Sequence, residues 1–177
     1  MINYTMTERL QTALQSHNIT PDKYRPAYGE SAGLDLFCAS ETAIDIPPSH
    51  WTLEDFARTS YDHTEWNAWK TLIPTGLKIA LPKDRVGLIC QRGSIIKTPL
   101  IHRAGVVDSG FTAEIFIAVL NLSNEIYTLQ PNQKLPFQLV VTSVDTQYCY
   151  VDEDAYQQLT RHSLRQTAAL GSSDTSH

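Results

Sequence analysis

An all-β domain, built as a compact barrel or jelly roll, is the fold class that this sequence predicts, and three observations carry the prediction. Between residues 19 and 151, short runs of Val, Ile, Leu, Phe and Tyr alternate with breaks at Pro and Gly, the texture of strands joined by turns. A helix-spaced apolar pattern is clear near the N-terminus, where Leu10, Ala13 and Leu14 fall at i, i+3 and i+4. With 177 residues, 42% hydrophobic and 19% charged, the chain has the size and composition of one globular domain with a single core.

Residues 7–17 read as a short amphipathic helix capped by Thr7 and ended by Asn18, packing on the body or on a partner subunit. Residues 1–18 are therefore an N-terminal helical extension, and residues 19–160 the β domain. A strand is predicted over residues 33–40, with Asp35 the odd residue among Leu34, Leu36 and Phe37. A carboxylate in such a strand needs backbone amides, a basic side chain or a hydrated metal as its partner. The strand at residues 44–46 stops at Pro47-Pro48. Residues 49–67, with Trp51, Tyr61 and Trp66, break the strand texture and read as an insertion on the surface or beneath a partner, with a helical turn or two at residues 53–58.

Strands resume at residues 71–73, 77–81 and 85–90. Behind the last of these, Arg92-Gly93-Ser94 can turn successive backbone amides toward an anion while the guanidinium grips it as a fork. The stretch of residues 105–121 predicts a hairpin that feeds directly into a strand over residues 114–121. Asp108, between hydrophobic residues and a Ser-Gly turn, is expected at the mouth of a pocket, where a general base belongs; a plain turn residue is the alternative. Further strands are expected at residues 126–129, 134–141 and 148–151. From Asp152 the chain turns polar, and residues 161–177 read as a flexible tail.

A net charge of −5 excludes a protein that coats nucleic acid through its phosphates, while leaving room for a small anion gripped by a few gathered cations. No apolar run is long enough to span a bilayer, and the N-terminus has neither the basic region nor the apolar core of a signal peptide, so a cytoplasmic protein is expected. Cys38, Cys90 and Cys149 are odd in number and lie in apolar stretches, as buried reduced thiols do. No Cys/His grouping has zinc-ligand spacing.

Taken in order, five segments resemble those of the trimeric dUTPase family, as in a divergent viral or phage-like member. Residues 31–36 are similar to the family's first motif, Arg92-Gly93-Ser94 to its second, residues 104–111 to its third, residues 134–141 to its fourth, and residues 165–173 to a worn fifth; residues 73–79 resemble a linking segment. The resemblance implies a distorted jelly roll of the β-clip kind, a homotrimer with shared active sites, and dUTP with Mg²⁺ as substrate and cofactor. It implies hydrolysis to dUMP and pyrophosphate, in the host cytoplasm if the source is viral. In that reading Asp108 takes a proton from the water that attacks the α-phosphorus. Arg92, Gly93 and Ser94 hold the phosphates, with Gln138 alongside. Phe111 lies under the deoxyribose and excludes a 2′-hydroxyl. His102, Gly105, Val106 and Val107 meet the uracil edge. Arg165, Ser172 and Ser173 close over the γ-phosphate, and Asp35 is the one candidate metal contact, through water.

Departures from the family pattern are visible too. Gly93 precedes Ser94 where Ser usually follows the Arg, Phe111 stands for the usual Tyr, Pro136-Phe137 adds an apparent extra residue to the fourth motif, and Ala168-Ala169-Leu170 replaces Gly-Gly-aromatic in the tail. Two rival readings share the fold. A dCTP deaminase would need a glutamate ten residues beyond Asp108, where this chain has Ala118. A catalytically weak binding protein would act through the insertion or the tail.

Overall fold

The computed structural model describes residues 2–26, 31–50, 71–145 and 150–160. Two compact units divide the chain, residues 1–144 and residues 145–177. In the first unit the order is β1 (Asn3–Met6), α1 (Glu8–Ser16), β2 (Gly33–Phe37), β3 (Ile44–Ile46), β4 (Thr71–Pro74), β5 (Leu77–Ala80), β6 (Arg85–Gln91), β7 (Leu100–Arg103), β8 (Val106–Val107), β9 (Phe116–Asn121), β10 (Tyr127–Leu129) and β11 (Lys134–Ser143). The second unit contains α2 (Glu153–Thr160).

Helix α1 forms where the periodicity places it. The Thr7 hydroxyl accepts the Leu10 N–H at 3.3 Å, Leu10, Ala13 and Leu14 are fully buried, and Asn18 adopts the left-handed conformation (φ 58°) that ends the helix. The helix packs on its own body. Gly76, in the turn between β4 and β5, has φ 67°, and a Cβ there would strike Thr7 Oγ1 and Leu10. Its carbonyl accepts the Thr7 N–H at 2.9 Å, so the glycine turn is the seat of the helix. Strand β1, which pairs with β5, has no signal in sequence because its residues do not alternate between buried and exposed.

Two sheets carry the candidate site. One is four-stranded, in the order β2-β11-β6-β8, and the other three-stranded, in the order β4-β9-β7; β10 pairs with β3 in a separate ribbon. Leu36, Phe37, Ile73, Ile117, Leu129 and Phe137 fill the core between them. Strand β9 alternates cleanly, with Ile117, Val119 and Asn121 buried and Phe116 exposed. The buried Asn121 amide donates to the carbonyls of Ile46 and Glu125 at 2.8 and 2.7 Å, so the polar group is satisfied.

Three sequence expectations need correction. Residues 105–121 are not a hairpin: β8 pairs with β6 and β9 with β4 and β7, so the Asp108 loop crosses from one sheet to the other. Tyr150 and Val151 are not in a strand, and residues 148–149 lie outside the described residues. Just beyond, the polar stretch forms α2, whose start is held by the Asp152 carboxylate accepting the Ala155 N–H at 2.9 Å, a cap followed by acidic Glu153 and Asp154 in the first turn. Cys38 and Cys90 are free thiols, and burial pushes the Cys38 thiol up; Cys149 lies outside the described residues. Residues 51–67 of the predicted insertion and the whole of residues 161–177 do so as well. Among the described residues no helix is long and apolar enough to cross a membrane.

Candidate active site

Strand β11 pairs with both β2 and β6, and its irregularity builds one corner of the site. Its register against β2 steps from Lys134 opposite Phe37 to Gln138 opposite Asp35, so four positions on β11 match two on β2. The apparent extra residue of the sequence lies in this bulge. Pro136 has no N–H to contribute to a ladder, and its carbonyl accepts the Arg92 backbone N–H at 2.9 Å. The neighbouring Leu135 carbonyl accepts from Arg92 Nη1 at 3.1 Å. Irregular backbone thus becomes a cradle for an arginine.

Asp35 locks that arginine. Arg92 Nε lies 2.6 Å from Asp35 Oδ1, and Lys134 Nζ lies 2.5 Å from Oδ2, with the Arg92 and Asp35 side chains 26% and 15% exposed. The basic partner that a carboxylate in this strand requires is therefore two cations. Tyr24 adds a third tie, its hydroxyl donating to the Asp35 carbonyl at 2.6 Å, and burial raises the Tyr24 pKa so that it stays a neutral donor. Gln138 lies over Gly33, where any Cβ would collide with its side chain, and its Nε2 donates to the Gln91 carbonyl at 3.4 Å. Beyond Arg92 the chain enters a 3-10 turn at Gly93–Lys97, with Gly93 and Ser94 exposed and open space where a Gly93 side chain would stand. The first amides of such a turn have no intrahelical acceptor.

The second corner is the loop from His102 to Phe111. His102 is on β7, not in the turn, opposite Val119, and its ring meets Phe137 edge-on at 5.8 Å. Its Nδ1 is buried without a hydrogen-bond partner. The turn follows, with Ala104 at φ 52° and the Gly105 carbonyl accepting the Ile89 N–H at 2.7 Å. A Cβ on Gly105 would press on His102 Nε2 and the Ile89 carbonyl, each at 3.1 Å, so glycine permits the close approach. Phe111 donates its N–H to the Asp108 carbonyl at 3.0 Å, which closes the Ser109-Gly110 turn. Val107 is buried, but Asp108 is exposed, with Val106 66% and Phe111 42% exposed. Asp108 thus stands open on its loop.

Register sets how far it lies from Arg92. Val107 lies opposite Gly87 on β6, five residues before Arg92 at the strand's far end. At about 3.3 Å per residue, Asp108 and Arg92 lie roughly 20 Å apart along the sheet. One copy of the chain therefore does not bring them together. Arg165, Ser172 and Ser173 lie outside the described residues. Lys134 and the Leu135 and Pro136 carbonyls escaped the sequence reading, because only the strand register sets them against Asp35 and Arg92.

The outer face of the sheet β4-β9-β7 is apolar. Leu72 and Phe116, 47% and 46% exposed, share it with the half-buried Ala118, Leu120 and Ile101, and Arg103 stands beside Ala118. No group of three or more His, Cys, Asp or Glu side chains that could hold a metal is found among the described residues. Asp35 is a single carboxylate with both oxygens taken by cations, which does not fit a resident magnesium site.

A family model described as dUTPase matches residues 58–174. The deoxyuridine 5'-triphosphate nucleotidohydrolase of Fusobacterium nucleatum is 37% identical over 84 residues, covering 43% of this chain and about half, 53%, of that protein. The enzyme of the same name from Cytophaga hutchinsonii is 27% identical over 174 residues, covering 94% of this chain and 92% of that one. Among solved structures, a mutant dUTPase of Staphylococcus bacteriophage 80alpha with dUpNHpp superposes with a TM-score of 0.69 at 16% identity, covering 98% of both chains. A mutant dUTPase from phage phi11 of S. aureus, described with a structural Mg(II) ion, gives 0.61 at 18% identity, covering 86% of this chain and 97% of that one. With about two-thirds of its length matched by the family model, and with the fold of the phage enzymes, this chain belongs to the dUTPase family.

Proposed function

We propose that the protein hydrolyses dUTP to dUMP and pyrophosphate in sites shared between copies of the chain. The observation that carries this reading is the Arg92 corner, where a guanidinium is held by Asp35 and the Leu135 carbonyl next to the exposed Gly93-Ser94 turn. Such an arrangement offers charge and amides to phosphate without a basic surface, as the net charge of −5 requires. Asp108 of a second copy supplies the base, accepting a proton from a water in line with the α-phosphorus. Phe111 stacks under the deoxyribose, and the Gly105, Val106 and Val107 backbone meets the uracil above the His102 ring. Gln138 orients a phosphate beside Arg92. Arg165, Ser172 and Ser173 close over the γ-phosphate from the tail.

The assembly in this reading is a homotrimer. Support comes from the roughly 20 Å between Asp108 and Arg92 within one chain, and from the apolar outer face of the sheet β4-β9-β7, which a second copy would cover. Magnesium belongs here to the substrate, carried on the nucleotide phosphates, since the ion characteristically keeps its waters and binds through phosphates in place of an all-protein cage. Deamination is disfavoured by Ala118, which pairs with Leu72 and Arg103 and has no proton to give. Incubation with Mg²⁺ and each deoxynucleoside triphosphate in turn tests the reading. Pyrophosphate release from dUTP above the others is expected; ammonia from dCTP, or no release at all, overturns it.

A further inference from the structure

A cavity of about 350 Å³ opens beside the Arg92 corner, on the side of Asp35 and Lys134. Asn18, Lys23, Tyr24 and Arg25 of the N-terminal segment line it together with those two residues. Its volume is at the small end of the range of about 300–1,000 Å³ typical of ligand sites. Lys23, Arg25 and Lys134 line it, Arg92 adjoins it through Asp35, and among the described residues Asp35 in the lining and the neighbouring exposed Asp22 are the carboxylates, in a chain whose overall charge is −5. A local surplus of positive charge in an acidic protein concentrates an anion in one place.

The wall that bears Lys23 and Arg25 is fastened. Tyr4 donates its hydroxyl to the Pro21 and Tyr24 carbonyls at 2.9 and 2.8 Å, and the Tyr24 hydroxyl reaches the Asp35 carbonyl. Tyr24 is buried and packs edge-on against Phe37 and Tyr4. The segment is thus tied to the strand whose carboxylate holds Arg92, so binding has to order the Lys23 and Arg25 side chains but not the backbone that carries them. The Lys23 and Arg25 side chains stay exposed on either side of the buried Tyr24.

We infer that this cavity is a diphosphate-binding subsite, in which Lys23 and Arg25 act with Lys134 on the outer phosphates of the bound nucleotide or on released pyrophosphate. The inference rests on the proposed dUTP hydrolysis for its substrate. It adds that the N-terminal segment, which carries none of the five motifs, is part of the binding surface. A compact, multiply charged anion fits better than a polynucleotide, because the cations surround a cavity and do not run along a stripe.

The test uses the full chain and the double variant Lys23→Ala/Arg25→Ala, whose exposed positions leave the core untouched. A charge-matched control, Lys78→Ala/Lys83→Ala, removes two exposed cations elsewhere. Calorimetric binding of inorganic pyrophosphate should weaken at least about tenfold in the first variant and less than about twofold in the control. A rise in the KM for dUTP at constant kcat assigns the cavity to the bound nucleotide's outer phosphates. A change confined to pyrophosphate binding and product inhibition assigns it to the released product. Unchanged pyrophosphate affinity and KM in the double variant, or an equal loss in the control, overturns the inference. Because pyrophosphate binding needs no turnover, absence of dUTP hydrolysis would sink the proposed reaction without touching this result, and turnover with unaltered pyrophosphate binding would sink the subsite alone.

Discussion

The Arg92 corner and the Asp108 loop are two halves of one candidate site built in opposite ways. At the first, Arg92, Asp35 and Lys134 satisfy one another in a half-buried cluster, and two carbonyls of a strand bulge finish the cradle. At the second, Val106 on β8 and Asp108 and Phe111 on the loop that follows it stand exposed. The difference teaches what each half has to do. In the proposed reaction the cations of the first half would hold phosphate and need to be in position before the ligand arrives, and the contacts of one chain already fix them. In the proposed reaction Asp108 and Phe111, bare in one chain, would close on the ligand once a second surface covers them.

The largest effect is expected at the bare half. Asp108→Asn should lower dUTP turnover by ~10²–10⁴-fold while nucleotide still binds. Its thermal midpoint should hardly move, since an exposed substitution typically stays within about 0.5 kcal/mol. Turnover near that of the parent would remove Asp108 from the role of base and dissolve the contrast between the halves.

Mixing tests whether the halves come from different copies. Asp108→Asn and Arg92→Ala chains, each nearly inactive alone, should recover activity when refolded together. In a closed threefold ring mixed from equal parts, three quarters of the trimers are hybrid and each keeps one intact site of three. About a quarter of the parent's activity is then expected. No recovery would show that both residues act from the same chain or that the assembly is not a ring.

The partnered half should respond in stability as well as in binding. Asp35→Ala leaves Arg92 and Lys134 facing each other without a counter-charge, and should cost ~1–3 kcal/mol, read from the urea midpoint, reduced by the exposure of Lys134 at 35%. Asp35→Asn should cost less, because it keeps the shape and part of the hydrogen bonding. A raised KM with little loss of stability would mean that the carboxylate meets the ligand in addition to its neighbours.

The smallest effects are expected at Phe111. Replacement by Ala should narrow the preference for dUTP over UTP by ~10–100-fold. Phe111→Tyr should alter turnover by no more than about threefold, because the ring face is kept. Competition assays with the two nucleotides measure both. Unchanged discrimination in the alanine variant would place the deoxyribose elsewhere.

Some of this architecture can be read from neighbouring residues alone. Helix α1 follows from the spacing of Leu10, Ala13 and Leu14 with Thr7 before it, because capping and amphipathic periodicity act within a few residues. Asp35 needed a partner wherever it fell, because a carboxylate among Leu34, Leu36 and Phe37 cannot remain unpaired. Other features gave no local sign. Lys134 is an ordinary basic residue in sequence, and His102 reads as part of a turn until β7 is seen to pair with β9. The apparent hairpin of residues 105–121 failed for the same reason: turn chemistry around Ser109-Gly110 is local, but the choice of partner strand is not.

The sequence by itself determined the strand-rich fold class, the N-terminal helix, the five motif segments and the types of residue available for phosphate binding and proton transfer. Those are set by patterning and by side-chain chemistry, which need no knowledge of distant contacts. The tertiary structure alone decided that a bulge in β11 holds Arg92, that Asp35 bridges two cations, that Lys23 and Arg25 border the same corner, and that Asp108 lies far along the sheet. Strand register and pairing between distant segments fix all four. They depend on how whole sheets pack, and short stretches of sequence carry no record of that.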